Sequence, residues 1–143
     1  MQQILEFAGN HWELVLALVV VLGLLIHNLT LGDKGSVDPV GAVDLVNRKD
    51  AVIVDVRPAA DYAKGHIIHA INIPANGFAN QIDTLKKYKD KGRPIIVACR
   101  SGAQSAHAAK TLRKAGFEEV YNLRGGILAW QSANLPVTRK ASR

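Results

Sequence analysis

The stretch that decides the fold is PIIVACRSGAQSAHAAKTLRKAGF, residues 94–117. Its first five residues are apolar and rich in isoleucine and valine, which predicts a buried strand. A helix is predicted over 101–115, and Gly116 is its glycine C-cap. Cys99, the only cysteine in the chain, lies between the strand and the helix. The sequence therefore places its one thiol at the carboxyl end of a strand.

Short apolar runs alternate with helical segments on both sides of this stretch. The predicted strands are 51–56, 70–74, 94–98 and 119–123, and the predicted helices are 39–48, 58–65, 77–88, 101–115 and 125–133. Asp38 and Pro39 form a helix N-cap followed by a proline at the first helical position. Phe117 and Trp130 are predicted to lie in the core. This alternation predicts an α/β domain with a mainly parallel sheet, a class that binds ligands at the carboxyl ends of its strands.

Composition and charge limit what the chain can be. Its 143 residues, 48% hydrophobic and 21% charged, suffice for one globular domain and a further segment. A single cysteine excludes an intramolecular disulfide and a zinc site built from several thiolates. Residues 32–143 hold all 18 basic side chains and carry a net charge of +8. Such a basic domain favours an anionic substrate, an anionic membrane surface or nucleic acid as its partner.

The N-terminal segment, 1–31, is predicted to contain a transmembrane helix. Leu14–Ile26 reads LVLALVVVLGLLI without a polar side chain, and its flanks extend it to about 12–31, the length of a span. Trp12 suits the membrane interface. A cleaved signal peptide and a buried core helix are the alternatives, but the first eleven residues lack Lys and Arg and no clear A-x-A cleavage site follows. We therefore expect an uncleaved anchor in the lipid bilayer.

Basic residues set the expected orientation of this anchor. Lys34, Arg48 and Lys49 follow the span, and no Lys or Arg precedes it. By the positive-inside rule the N-terminus is expected outside and the following domain in the cytoplasm. The predicted organisation is an N-terminal segment 1–31, a linker 32–38, a domain 39–138 and a basic tail 139–143.

The loop after Cys99 is rich in small residues, which allow backbone N–H groups to turn inward. The candidate binding residues are Arg100, Ser101, Gly102, Ala103, Gln104 and Ser105. Their N–H groups and the following helix N-terminus form an anion cradle, which stabilises a thiolate and lowers the pKa of Cys99. Cysteine phosphatases place an arginine six residues after the nucleophile, where this chain has Ser105. A phosphatase is therefore disfavoured, and the Ser105 hydroxyl is a candidate donor to the sulfur. A structural buried cysteine and a redox sensor remain alternatives at this point.

Three segments resemble the rhodanese family of sulfurtransferases. VDVRPAADYAKGHIIHAINIP, residues 54–74, is similar to the first family signature, with D-x-R, G-H-I and A-x-N-I-P. The stretch after residue 94 resembles the active-site loop and its helix, and VYNLRGGILAW with LPV, within 120–137, resembles the closing motif. The match covers about 37–137. The chain as a whole resembles a membrane-anchored, single-domain rhodanese.

This resemblance implies a fold, a reaction and a set of roles. It implies a five-stranded, mainly parallel central sheet, no cofactor, and a place in a bacterial inner membrane. Cys99 would accept sulfur from a small anionic donor such as thiosulfate and pass it from a persulfide to cyanide or a thiol. The loop amides would hold the persulfide, Arg100 would steer the anion, and Asp55 and Arg57 would support the site. With no second cysteine, the sulfur acceptor must be external.

Four positions depart from the family pattern. His69 and Asn134 stand where glycine is usual, Asp61 stands where glutamate is commoner, and Gln104 takes a loop position often held by arginine. The first two are changes in turns. The loss of the arginine at 104 bears on how strongly the loop binds thiosulfate.

Other residues admit competing interpretations. His66 and His69 have a spacing that would suit a metal pair, but two ligands without a carboxylate are too few, and no metal is expected. His107 is more simply a surface residue of the helix than a catalytic base. The basic run 86–93 is interpreted as a solvated helix end near anionic lipid and not as a nucleic-acid site. A second hypothesis for the whole chain is an interaction module that binds a membrane-protein partner, with Cys99 incidental.

Overall fold

The computed structural model of the chain describes residues 1–30 and 35–140. Outside these ranges lie the end of the predicted span at residue 31, residues 32–34 of the predicted linker, and residues 141–143 of the predicted basic tail. Two compact units are present, Met1–Lys34 and Gly35–Arg143.

Seven α-helices, one 3₁₀ helix and seven strands occur in the described residues. The helices are α1 Gln2–Asn10, α2 Trp12–Thr30, α3 Pro39–Lys49, α4 Ala59–Lys64, α5 Lys86–Asp90, α6 Ala103–Lys114 and α7 Gly126–Ser132, with the 3₁₀ helix at Phe78–Leu85. The strands are β1 Ser36–Val37, β2 Val52–Asp55, β3 His66–Ile67, β4 Ile71–Asn72, β5 Ile95–Ala98, β6 Val120–Leu123 and β7 Val137–Thr138.

The N-terminal unit consists of α1 and α2. The predicted helix at 12–31 corresponds to α2, but α1 was not anticipated, and the two helices meet at a bend of 93°. By length and apolar composition, no single helix within the described residues is sufficient to cross a membrane, whereas the bent pair together satisfies these criteria. The transmembrane assignment of the helix therefore stays a prediction.

A five-stranded sheet with the order β1-β6-β5-β2-β4 forms the centre of the second unit. All four of its strand pairings are parallel. The two central strands, β2 and β5, are buried along their whole length because helices cover both faces of the sheet. The predicted α/β class and the mainly parallel five-stranded sheet are confirmed.

Alternate side chains of the central strands enter two separate apolar layers. Val54 and Val97 belong to the layer that includes Leu112 of α6. Ile53 and Ile96 belong to the opposite layer, which includes Trp130 of α7. Phe117 lies in the first layer, so both aromatic residues predicted to be core are buried.

The structure differs from the sequence predictions at short or polar segments. Ser36 and Val37, assigned to the linker, form β1 and pair with β6. The antiparallel pair β3 and β7 was not predicted, because a strand of two residues carries no periodicity. The predicted helix 77–88 is a 3₁₀ helix followed by α5. Thr84 Oγ1 donates to the carbonyl oxygen of Gln81 at 2.7 Å, a local bond of the kind that competes with regular helix formation.

Two departures from the family pattern occupy left-handed backbone positions. His69 has φ +65° and Asn134 has φ +58°. Asparagine tolerates this region, whereas histidine accepts it at a steric cost that glycine avoids. The glycine usual at position 69 thus has a physical reason.

We predict that His69→Gly stabilises the protein. The free energy gained by relieving the left-handed conformation exceeds the cost of the added entropy of the unfolded chain. The free energy of unfolding should therefore rise by about 0.5–1 kcal/mol. Urea unfolding of the full chain in detergent, followed by tryptophan fluorescence, measures the change. His107→Gly is the matched control, since His107 lies inside helix α6, where glycine should destabilise by about 1 kcal/mol. A loss of stability in His69→Gly would contradict the explanation.

Candidate active site

The candidate residues lie at the carboxyl ends of the central strands, along one edge of the sheet. Asp55 ends β2, Cys99 follows the last residue of β5, and Leu123 ends β6. Because these strands are parallel neighbours in the order β2-β5-β6, their ends lie side by side. Cys99 therefore lies at the middle of this edge.

Two donors from the following loop and helix point at the Cys99 sulfur. The backbone N–H of Gly102 donates to Sγ with a donor–acceptor distance of 3.0 Å. The hydroxyl of Ser105 lies 3.2 Å from Sγ. Cys99 itself is only 2% exposed, so these groups replace water around the sulfur. The predicted contact between Ser105 and the sulfur is present in the structure.

Opposing effects act on the pKa of Cys99. Burial raises it, because a thiolate is less stable away from water. Hydrogen bonds from the Ser105 side chain and from the backbone N–H groups of Ser105, Gly102 and Ser101 lower it. Together the hydrogen bonds outweigh burial, and the pKa of Cys99 lies below the ordinary thiol value. The loop thus favours the thiolate, which is the nucleophilic form of cysteine.

Gly102 gives this loop its turn. Its φ of +98° lies in the region that side chains rarely adopt. A Cβ at this position would lie 3.3 Å from the carbonyl oxygen of Leu123 and 3.4 Å from the nitrogen of Gly125, which is tighter than most real contacts. Glycine therefore permits both the reversal of the chain and its close approach to the end of β6.

The first turn of α7 fixes the start of the loop. Ile127 N donates to the carbonyl oxygen of Cys99 at 2.8 Å, and Leu128 N donates to that of Arg100 at 3.2 Å. Gly126, at φ +61°, lets the two segments approach, since a Cβ there would collide with both carbonyl groups. The turn at Gly125 and Gly126 thus lies directly against the candidate nucleophile.

The remaining loop residues divide by exposure. Gly102 and Ser105 are buried, whereas the side chains facing solvent belong to Arg100, Ser101, Ala103 and Gln104. Arg100 lines a groove of about 270 Å³ together with Lys64, Leu128 and Val137. Asp61 also lines this groove, which therefore presents basic, acidic and apolar side chains next to the loop.

Asp55 and Arg57 form a buried ion pair and do not contact Cys99. Arg57 Nη2 lies 2.8 Å from Asp55 Oδ2, and Arg57 Nε lies 3.1 Å from each carboxylate oxygen. Arg57 Nη2 also donates to the carbonyl oxygen of Gly65 at 2.7 Å. Asn72 Nδ2 donates to the carbonyl oxygens of Asp55 and Arg57. This arrangement joins the end of β2 to the segment that precedes β3, which is a structural role.

Sequence reasoning missed Asn122, a buried residue of β6. Its Nδ2 donates to the carbonyl oxygen of Gly102 at 3.0 Å, and its Oδ1 accepts a short hydrogen bond from Ser105 Oγ. Asn122 thus makes a hydrogen bond with each of the two residues that contact the sulfur. The available signal was a polar residue inside the otherwise apolar strand 120–123, one residue before the strand ends.

The histidines and the basic run lie apart from this constellation. His66 is buried, stacks on Tyr62 at 3.6 Å between ring centroids, and its Nδ1 lies 2.8 Å from the Tyr62 carbonyl oxygen. His69 and His107 are exposed. In residues 1–30 and 35–140, no group of three or more His, Cys, Asp and Glu side chains is arranged to bind a metal ion. The basic run 86–93 precedes β5 and therefore lies at the opposite edge of the sheet from Cys99.

Comparison with known proteins agrees with this arrangement. Residues 39–133 match the rhodanese-like domain family. The protein YibN of Escherichia coli K12 is 42% identical over 97% of this chain and 99% of its own length. The thiosulfate sulfurtransferase GlpE of Shewanella oneidensis is 37% identical over 64% of this chain and 87% of its own length.

A solved structure gives the same result for the fold. The rhodanese-like domain of an Anabaena protein, determined by NMR, superposes with a TM-score of 0.61 at 29% identity, over 73% of this chain and 79% of that one. The family match spans more than half of the chain and includes the loop around Cys99. The chain therefore belongs to the rhodanese-like domain family.

Proposed function

We propose that the chain is a membrane-anchored sulfurtransferase that carries sulfane sulfur as a persulfide on Cys99. The observation that carries this proposal is the cradle around the sulfur, in which the Gly102 N–H donates to Sγ and the Ser105 hydroxyl lies 3.2 Å from it, at a buried cysteine of lowered pKa. Relatives named sulfurtransferase support the reaction class.

The first half-reaction loads the sulfur. The Cys99 thiolate attacks the outer sulfur of a thiosulfate-like donor, a new S–S bond forms, and the bond between the two donor sulfurs breaks. Sulfite departs with the electron pair of that bond. The negative charge of the nucleophile is now on the outer sulfur of the persulfide, where inward-facing N–H groups stabilise it.

The second half-reaction transfers the sulfur from Cys99 to an acceptor. Cyanide or a thiolate attacks the outer sulfur, and Cys99 leaves as a thiolate, which restores the starting state. The chain has a single cysteine, so no internal thiol competes for the persulfide. Arg100 is exposed beside the loop, where its positive charge attracts an anionic donor or acceptor.

The N-terminal unit supplies the proposed anchor. Helix α2 is almost entirely apolar, and its large hydrophobic side chains are exposed, which suits lipid as their surroundings. With the basic residues placed after the span, the domain faces the cytoplasm from a bacterial inner membrane. The similarity to YibN of Escherichia coli extends over this segment as well.

We predict that thiosulfate adds one sulfur atom to the full chain. Intact mass measurement in detergent should detect the gain, and cyanide should remove it. Cys99→Ser should show no gain, because serine forms no persulfide. An unchanged mass in folded protein would contradict thiosulfate as a donor, and a gain that survives in Cys99→Ser would contradict the assignment of the nucleophile.

The pH dependence of loading follows from the lowered pKa of Cys99. The rate should rise with pH as the thiolate forms, and the midpoint of this rise should lie at lower pH than that of an ordinary cysteine thiol. Ser105→Ala removes a donor that stabilises the thiolate, so its profile should move to higher pH, with loading roughly tenfold slower at neutral pH. Stopped-flow measurement of sulfite release across a pH series tests both points. If the pH profile of Ser105→Ala coincided with that of the unmodified chain, the role of this hydroxyl would be contradicted.

Membrane attachment is tested by fractionation. The full chain should stay in the bacterial membrane pellet after an alkaline carbonate wash, because α2 is held by apolar burial and not by charge. A chain that begins at residue 31 should move to the soluble fraction. Release of the full chain by the wash would contradict a spanning anchor and favour a peripheral attachment.

An interaction module that binds a membrane-protein partner is the alternative. The apolar N-terminal unit favours it, since a soluble sulfur donor does not require a membrane. The two functions differ at Cys99. Cys99→Ser should abolish sulfur transfer and leave a binding function intact.

A further inference from the structure

The Ser105 hydroxyl lies between two acceptors. Its oxygen is 3.2 Å from Cys99 Sγ and makes a short hydrogen bond with Asn122 Oδ1. A serine hydroxyl carries one hydrogen and therefore donates to one partner at a time. All three residues are buried, so water does not readily replace the missing partner.

The amide orientation of Asn122 is fixed by its other contact. Nδ2 donates to the carbonyl oxygen of Gly102, which only accepts. A flipped amide would place two oxygen acceptors against each other there. Oδ1 must therefore face Ser105, and as a carbonyl oxygen it can only accept.

The charge on the sulfur then decides where the single proton points. With a neutral thiol, the S–H donates to Ser105 Oγ, and the hydroxyl donates to Asn122 Oδ1, so every group is satisfied. With a thiolate, the hydroxyl turns to the negatively charged sulfur, because charge-assisted hydrogen bonds are stronger. Asn122 Oδ1 then faces the lone pairs of Ser105 Oγ without a hydrogen between them.

We propose that Asn122 is a positioning residue that holds the Ser105 hydroxyl proton while Cys99 Sγ is uncharged and releases it when the sulfur is a thiolate. Asn122 contacts no reacting atom and acts through Ser105. Its effect is to restrain the thiolate that the other loop donors favour.

The persulfide gives this arrangement a second use, which rests on the proposed function. Once Sγ is bonded to a second sulfur, the negative charge is on the outer atom, and Sγ is a weak acceptor. The Ser105 proton then returns to Asn122 Oδ1. When an acceptor removes the outer sulfur, the charge returns to Sγ and the hydroxyl turns back to the leaving thiolate.

Charged groups near this edge of the sheet do not account for the same effect. The charged or titratable side chains placed there are Asp55, Arg57, Asp61, Lys64, Arg100, His107 and Arg124. The first two neutralise each other in their ion pair, and the other five are exposed to solvent, where their fields are screened. They are also unchanged in the variants below, so their contribution cancels in each comparison.

Alkylation of Cys99 by iodoacetamide tests the proposal without any sulfur donor. The full chain in detergent is compared with Asn122→Leu, which has a similar shape and no polar atoms. Without the Asn122 oxygen as a competing acceptor, the Ser105 hydroxyl donates to the thiolate. The pH profile of the alkylation rate should therefore move to lower pH. Below the midpoint the rate should be about twofold to fivefold higher. An unchanged profile, or one moved to higher pH, would overturn the proposal.

A second comparison separates the effect of Asn122 on the Ser105 hydroxyl from its effect on the loop through Gly102. Asn122→Leu also loses the bond to Gly102. Any effect of this loss on the alkylation profile would be the same with or without Ser105. In a Ser105→Ala background the proposal expects Asn122→Leu to leave the alkylation profile where it is. The same shift in that background would mean that Asn122 acts through the loop alone, and would overturn the proposal.

Matched variants control for folding. Asn72→Leu removes another side-chain amide that holds backbone carbonyls at this edge, without contact to Ser105, and its profile should coincide with the unmodified chain. If Asn122→Leu fails to fold, Asn122→Ser, with a side chain too short to reach Ser105 in the same way, should give the same shift. Because no sulfur is transferred in these measurements, their failure leaves the proposed sulfurtransferase standing, and a failed persulfide test leaves this inference standing.

Discussion

The hydrogen bond from the Gly102 amide to Cys99 Sγ requires the chain to reverse direction within three residues. That reversal depends on the positive φ of Gly102 and on the absence of side chains at Gly102 and Gly126. The amides of Ile127 and Leu128 then hold the carbonyl groups of Cys99 and Arg100 from the other side. Cys99 is thus positioned almost wholly by backbone groups. Among residues 1–30 and 35–140, the side chains that contribute hydrogen bonds are Ser105 and, behind it, Asn122.

The parallel sheet explains why so short a loop suffices. β5 lies between β2 and β6, so the chain leaves the sheet at its centre, where the neighbouring strands also end. The buried pair of Asp55 and Arg57 stabilises the end of β2 on one side, and Asn122 stabilises the end of β6 on the other. Burial of an unpaired Asp55 carboxylate would be costly, and the four hydrogen bonds that Arg57 donates to it offset that cost.

Sequence alone predicted the central unit well, because its signals are local. The apolar run before Cys99, the small residues after it and the glycine at 116 each have one common structural meaning, and together they predict strand, loop and helix. The contact from Ser105 to the sulfur follows from its spacing in the loop and was anticipated. β1, β3 and β7 were missed because each has two residues and lies outside the predicted strand runs, whereas the equally short β4 lies within the run 70–74. Asn122 was missed because its role exists only once β6 lies beside β5. The bend between α1 and α2 lies at His11, and no proline indicates it.

The depth of Cys99 has a geometric consequence for the loaded protein. A disulfide-type bond is about 2.05 Å long, so the second sulfur of a persulfide projects beyond the position that Sγ reaches. The unloaded thiol, on a residue 2% exposed, is shielded from contact with large molecules. In the proposed cycle, loading would therefore place the reactive atom farther from the Cys99 backbone than the thiol sulfur. Burial of the thiol would then allow a bulky acceptor to distinguish loaded from unloaded protein.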